Sequence, residues 1–204
     1  VFSLSPDIND LRPFQFFNFD NKKEIFDFGI RYTSFLDLSK SNEALFENLS
    51  TIRKQNIKYA EKEGIEVVKT EDYSTLLDNY KNNLIDQSES FSKNYFDNLH
   101  QLLSKLLKKD LIKIYELKRN NKTSYSAVFS NIGSTTEYMY GAGNKELQES
   151  YDATYLIWTS LLDLKSQGKK LVNFEGVNSP NRGNFKLSFG GNLQPYFKIL
   201  KDKN

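Results

Sequence analysis

Residues 170–199, KLVNFEGVNSPNRGNFKLSFGGNLQPYFKI, carry the reading of this chain. The apolar run Leu171, Val172 and Phe174 closes on Glu175-Gly176 and reads as a strand. After a loop, Ser179-Pro180 joins a favourable N-cap residue to a proline at a first helical position. A short helix begun there sets Phe185 and Phe189 four residues apart on one face, with Lys186 beside them on another. Gly190-Gly191 ends it, and residues 195–200 resume as a strand. One lysine is thereby held at a fixed place between two strands.

Working outward, residues 32–38 alternate as a strand, with Tyr32, Ser34 and Leu36 on one side and Thr33, Phe35 and Asp37 on the other. Ser41 is an N-cap for a helix over 42–62 with the stripe Leu45, Leu49, Ile52 and Ala60; Gly64 stops it, and 65–69 is a second strand. Residues 72–109 read as two helices, one striped by Leu76, Leu77, Tyr80 and Leu84, the other by Phe91, Tyr95, Leu99, Leu102 and Leu106. Strands at 111–118, 123–131 and 135–140, turning at Asn120-Asn121 and Gly133-Ser134, predict an antiparallel meander. Gly141-Ala142-Gly143-Asn144 then reads as a glycine-rich turn before a helix over 146–166, an arrangement whose exposed N–H groups can hold a pyrophosphate. The fold class expected is mixed α/β (α+β), a largely antiparallel sheet flanked by helices, with its last strands at 170–175 and 195–200.

Composition narrows the chemistry. With 204 residues the chain can bury one sizeable core, and 16 Phe and 12 Tyr supply it. Twenty-eight basic residues against 26 acidic leave a net charge of +2, a weak electrostatic claim on nucleic acid or anionic membrane. No apolar run is long enough to span a membrane. The absence of cysteine excludes disulfides, thiol nucleophiles and thiolate zinc, and a single histidine, His100, argues against a His-rich metal site or a Ser-His-Asp triad. His100 itself reads either as a surface residue or as a ligand contact. No metal is expected, and the composition fits a cytoplasmic location. The chain starts at Val1 with Met139 its only methionine, from which an upstream piece is expected.

The order N-F-E-G, a loop with proline, F-K-x-x-F-G-G and a closing P-Y strand resembles the C-terminal end of the FemAB-like branch of the GNAT acyltransferase superfamily. A second match, Asp37-Leu38-Ser39 followed by Arg53, Ile57, Ala60 and Gly64, resembles that family's opening. Together the matches span residues 30 to 200. The resemblance implies an aromatic-rich connector over 1–31, packing on a missing N-terminal half, and a GNAT-like domain over 32–204. It also places Phe185 and Lys186 beside a reacting carbonyl, Lys186 as oxyanion stabiliser and Phe185 against the donor. Arg53 would approach an anionic ligand, or else belong to the solvated face of its helix. Gly141, Gly143 and Asn144 would hold the pyrophosphate of acyl-CoA, although no basic or amide residue precedes them at the family's usual spacing. FemAB-like relatives often carry Asp where this chain has Asn173.

From the residues themselves, Glu175 is a candidate proton acceptor, because burial raises a carboxyl pKa toward working pH. Asn178 and Arg182, in the loop before Lys186, are placed to contact a polar or phosphorylated acceptor. The resemblance implies an N-acyltransferase moving an acyl group from acyl-CoA to an amine, such as a nucleotide-linked amino sugar of the cell envelope. The alternatives are aminoacyl transfer from charged tRNA to a peptidoglycan precursor, for which the small net charge is the less favourable sign, and a non-catalytic GNAT-like half. A second copy of the chain or the missing half are the expected macromolecular partners.

Overall fold

The computed structural model describes residues 2–20, 25–86 and 91–201. One eight-stranded sheet runs through it, built from β1 (Phe2–Ser3), β2 (Phe26–Asp37), β3 (Glu66–Thr70), β4 (Ile112–Arg119), β5 (Lys122–Ser130), β6 (Thr135–Gly143), β7 (Leu171–Asn173) and β8 (Asn192–Lys201). Their spatial order is β1-β8-β2-β7-β6-β5-β4-β3, and every pairing is antiparallel except β6 with β7. The helices described are α1 (Arg12–Gln15), α2 (Asn42–Glu47), α3 (Thr51–Lys62), α4 (Ser74–Asp86), α5 (Tyr95–Lys108), α6 (Asp152–Ser166) and α7 (Pro180–Leu187).

Both faces of the central strands are covered, as β4 shows. Its Tyr115 and Leu117 join the larger apolar core with Phe129, Trp158, Leu161, Phe174 and Phe189, under α2, α3 and α6. Its Ile112 and Ile114 point the other way, into a second core with Leu76, Leu99, Leu103 and Val128, under α4 and α5. Across the larger core runs an unbroken series of ring contacts, Tyr115–Phe129–Tyr138–Phe174–Phe189–Phe185, which carries packing from β4 to α7.

Several expected boundaries move, each for a tertiary reason. The helix expected over 42–62 is two helices. The chain breaks at 48–50 because the end of α7 docks there: Ser50 N donates to Ser188 O at 2.9 Å, and Gly190, at φ +84°, sits so close that a Cβ would lie 2.6 Å from Asn48 O. Ser41 does cap α2, accepting from Ala44 N at 3.2 Å. The strand expected from Tyr32 begins at Phe26, so the boundary placed between 31 and 32 falls inside β2, whose first half pairs with β8. Phe2, Phe14, Phe17 and Phe26 pack in tilted and edge-to-face contacts, although Phe2 and Phe17, like Phe16 and Phe19, remain exposed. The Asn120-Asn121 turn is as expected, both residues adopting positive φ. Residues 87–90, within the stretch read as helical, lie outside those described. No helix among the described residues is long and apolar enough to cross a membrane.

Candidate active site

The site is made by a parting of strands. β6 and β7 pair only over residues 135–137 and 171–173; β7 then ends, while β6 continues to Gly143 paired only with β5. The edge of β6 left unpaired there faces α7, and between them opens a cleft of about 540 Å³, walled also by Tyr80, Asn83 and Leu84 of α4. From the 170–199 segment Asn181, Arg182, Phe185 and Lys186 line it; from β6, Tyr138 through Gly143.

Lys186 projects from α7 with Nζ 5.7 Å from the Tyr138 ring centroid, donating one hydrogen bond to Gly176 O at 3.2 Å. Desolvation lowers the pKa of this ammonium from 10.5; the Glu175 carboxylate opposes that shift and Arg182 adds to it. Glu175 stands where β7 has just ended, at φ +57°, a left-handed conformation that non-glycine side chains seldom adopt. Asn173 fixes its direction: Nδ2 donates to Glu175 Oε1 at 2.9 Å, and Oδ1 accepts from Glu175 N at 2.8 Å and from the Thr33 hydroxyl. An aspartate at 173 would have no donor for that carboxylate, so the amide here acts as its orienting partner. Much of the Glu175 surface is open, but the tethered carboxylate is partly desolvated. Burial and the neighbouring Glu137 raise its pKa above 4.5, with Lys186 acting in the opposite direction.

The other residues singled out in the sequence divide between cleft and scaffold. Phe185 lines the cleft. Arg53 does not. Its guanidinium stacks 4.7 Å over the Phe185 ring and donates to Ser188 Oγ at 2.8 Å and to the Thr154 hydroxyl, tying α3 and α6 to α7. It is thus held in the scaffold off the cleft rather than on a solvated helix face. Asn178 is also outside the cleft: its amide pairs with both backbone groups of Tyr32, at 2.8 and 2.9 Å, and anchors the loop to β2. His100 is exposed, 3.4 Å from the Tyr73 hydroxyl. Sequence reasoning missed Gly183. A Cβ there would lie 2.4 Å from Val177 O, so α7 packs against the loop only because residue 183 lacks one. We expect Gly183→Ala to push α7 outward, costing roughly 1–3 kcal/mol in urea unfolding.

Gly141 and Gly143 are not in a turn. They lie in β6, opposite Ala127 and Tyr125 of β5, and they are glycine because Tyr138 Oη and the Gln148 side chain pass across them. The turn that follows is internally satisfied: Asn144 N donates to Ser124 O, Glu146 N to Asn144 Oδ1, Leu147 N and Gln148 N to Asn144 O, and Glu149 N to Asp152 Oδ2. Asp152, fully buried at the start of α6, also accepts from Ser124 Oγ at 2.7 Å and from Arg119 at 2.7–3.1 Å. A carboxylate of the chain itself thus stands at the helix N-terminus, and the amides of this turn that the chain's own acceptors take are not open to a pyrophosphate, while Gly141 and Gly143 line the cleft from the strand.

No family model and no curated protein matches the chain. Solved structures do. FemX aligns over 88% of this chain and 63% of its own, at 13% identity and a TM-score of 0.68. The C-terminal domain (DUF2156) of a putative lysylphosphatidylglycerol synthetase from Agrobacterium fabrum aligns over 92% and 65%, at 12% identity and 0.57. L-PGS from Bacillus licheniformis aligns over 91% and 64%, at 11% identity and 0.55. The chain spans a little under two thirds of each of these structures. At such identities the likeness is one of fold, and the parted β6–β7 pair, the covering α7 and the mixed sheet together give this chain a FemAB-like GNAT-type fold.

Proposed function

We propose that the chain is an acyl- or aminoacyltransferase that delivers an acyl group to an amine. The observation that carries this reading is the partly desolvated ammonium of Lys186 in a cleft also lined by the ring of Phe185, within the field of the oriented Glu175 carboxylate at the end of β7. Aminolysis of an ester needs little more: the amine held near the carbonyl, a group to take its proton, and a donor to the developing oxyanion. One N–H of Lys186 is spent on Gly176 O; the others serve the oxyanion. Glu175 receives the proton of the attacking amine.

For the donor, the satisfied turn after β6 favours an aminoacyl ester such as charged tRNA over a coenzyme A thioester; the amine acceptors to test with it are a peptidoglycan precursor and a nucleotide-linked amino sugar. The test is transfer assayed with radiolabelled aminoacyl-tRNA and, in parallel, acyl-CoA, each with a panel of amine acceptors. Transfer from the ester alone is expected. Transfer from neither, with the chain folded and extended upstream of Val1, would favour a non-catalytic binding half.

The pH profile follows from the two shifts. Glu175 must be ionised to accept a proton, and its pKa lies above 4.5; Lys186 must be protonated to donate, and its pKa lies below 10.5. The kcat/KM curve is therefore a bell narrower than free side chains would give. Glu175→Gly should abolish its acidic limb and lower kcat, while relieving the left-handed strain and stabilising the fold by about 1 kcal/mol. An unchanged acidic limb would remove Glu175 from the mechanism.

A further inference from the structure

Strict alternation along β6 would set Tyr138, Tyr140 and Ala142 on one face of the sheet. They are divided between the two. Tyr140 and Ala142 pack with Leu76 and Val128 in the core under α4 and α5, whereas Tyr138 belongs to the larger core with Phe129 and Phe174. The register gives the reason: Val128 stands opposite Tyr140 but Phe129 opposite Tyr138, so Met139 is an extra residue in β6, a β-bulge. A bulge re-aims a side chain, and here it sends an aromatic ring to the side of α7. Phe129 and Phe174 hold that ring with centroids at 5.4 and 6.3 Å. Its hydroxyl meets that of Tyr125 across Gly141, where a Cβ would run into the one and press on the other. The ring is therefore fixed in place and in tilt before α7 is considered, and Lys186 Nζ lies over it, 5.7 Å from the centroid.

We propose that Tyr138 is the positioning residue of the Lys186 ammonium, its ring holding the charge at the cleft in place of an ion-pair partner. Among the described residues Lys186 makes no ion pair, and its one hydrogen bond goes to Gly176 O at 3.2 Å. An ammonium within about 6 Å of a ring centroid is drawn to the negative face of the ring. That attraction differs from a salt bridge in what it consumes. A carboxylate in contact would take one or two N–H groups and neutralise the charge, whereas a ring accepts the charge as a whole and leaves the N–H groups for a developing oxyanion. Tyr138 also lines the cleft, and through Phe174 and Phe189 its ring is packed in series with Phe185, so the lysine and the aromatic wall are set by one rigid stack. The contact stands on these residues; its consequence for catalysis rests on the function proposed above.

The test replaces Tyr138 in the full chain by phenylalanine and then by its 4-fluoro, 3,5-difluoro and 3,4,5-trifluoro analogues, which keep the ring's shape while withdrawing its negative face. The titration of Lys186 is followed by NMR of ¹³C-labelled lysine side chains, its signal assigned by its loss in Lys186→Met. The midpoint should fall stepwise along the series, by roughly one pH unit in all. The basic limb of kcat/KM should move down with it, and kcat should drop by up to about tenfold with KM for the donor unchanged. Tyr138→Leu, which removes the ring, should match the end of the series in midpoint whatever it does to the melting temperature. A tyrosine that only fills the core would change the melting temperature and leave the midpoint where it is. A midpoint level across the series overturns the proposal, and so does a falling midpoint with kcat unmoved. If the parent chain transfers from no donor, the function proposed above is lost, and the lysine titration still decides whether the ring holds the charge.

Discussion

Lys186→Met is expected to lower kcat for acyl transfer by roughly 100-fold or more, the effect of withdrawing one oxyanion donor, with KM for the donor little changed. The side chain is partly desolvated and its pKa is depressed, so the folded state gains nothing from the charge. By linkage, a lysine whose folded pKa lies below 10.5 binds fewer protons folded than unfolded. The ammonium therefore costs stability at neutral pH, and that cost fades as pH rises through the folded pKa. Methionine preserves the stem over Tyr138 and removes the charge, so the variant should melt at or above the temperature of the parent. Loss of activity without loss of stability separates a catalytic lysine from a structural one. Stopped-flow single-turnover measurements locate the loss in chemistry, and an unaltered single-turnover rate would end the assignment.

How the site was legible in the chain differs from residue to residue. That Phe185 and Lys186 share a short helix between two strands was readable from its proline start and closing glycines, whereas their place at a reacting carbonyl came from the resemblance, and Arg182, read as part of the loop, lies inside that helix. That Arg53 lies off the cleft was not readable, because helical periodicity reports which positions share a face and cannot say that α6 and the end of α7 supply Thr154 and Ser188 as acceptors. The anchoring of Asn178 was unreadable for a related reason: a loop amide satisfied by the backbone of a strand 146 residues earlier looks, in sequence, like one awaiting ligand. Gly141 and Gly143 signalled a close approach correctly and its nature incorrectly, since side chains of the same protein, Tyr138 and Gln148, are what approach. The break between α2 and α3 was invisible for want of a proline or glycine; it is imposed by the docked end of α7.

Asp152→Ala is the substitution from which the largest loss of stability is expected, about 3–5 kcal/mol, as for other buried ion pairs deprived of one member. The carboxylate is fully buried and bidentate to Arg119, and it also closes the turn through Glu149 N and the Ser124 hydroxyl. Arg119, its pKa raised first of all by Asp152, has Glu63 as a second partner at 2.7 Å, but that carboxylate is largely solvated and reaches only Nη1. Removing Asp152 thus leaves a half-paired guanidinium and two orphaned donors at the head of α6. For a chain of this size each kcal/mol is worth about 2–4 °C, so a fall in Tm on the order of 10 °C is expected by calorimetry. The same substitution tests why the turn after β6 does not fit a pyrophosphate. With its own anion gone, Arg119 and Glu149 N face an empty place at a helix N-terminus, and inorganic pyrophosphate should recover part of the lost Tm in the variant while leaving the parent unmoved. A parent chain stabilised equally by pyrophosphate would show that Asp152 does not hold that place, and would restore the coenzyme A thioester as the acyl donor to test first.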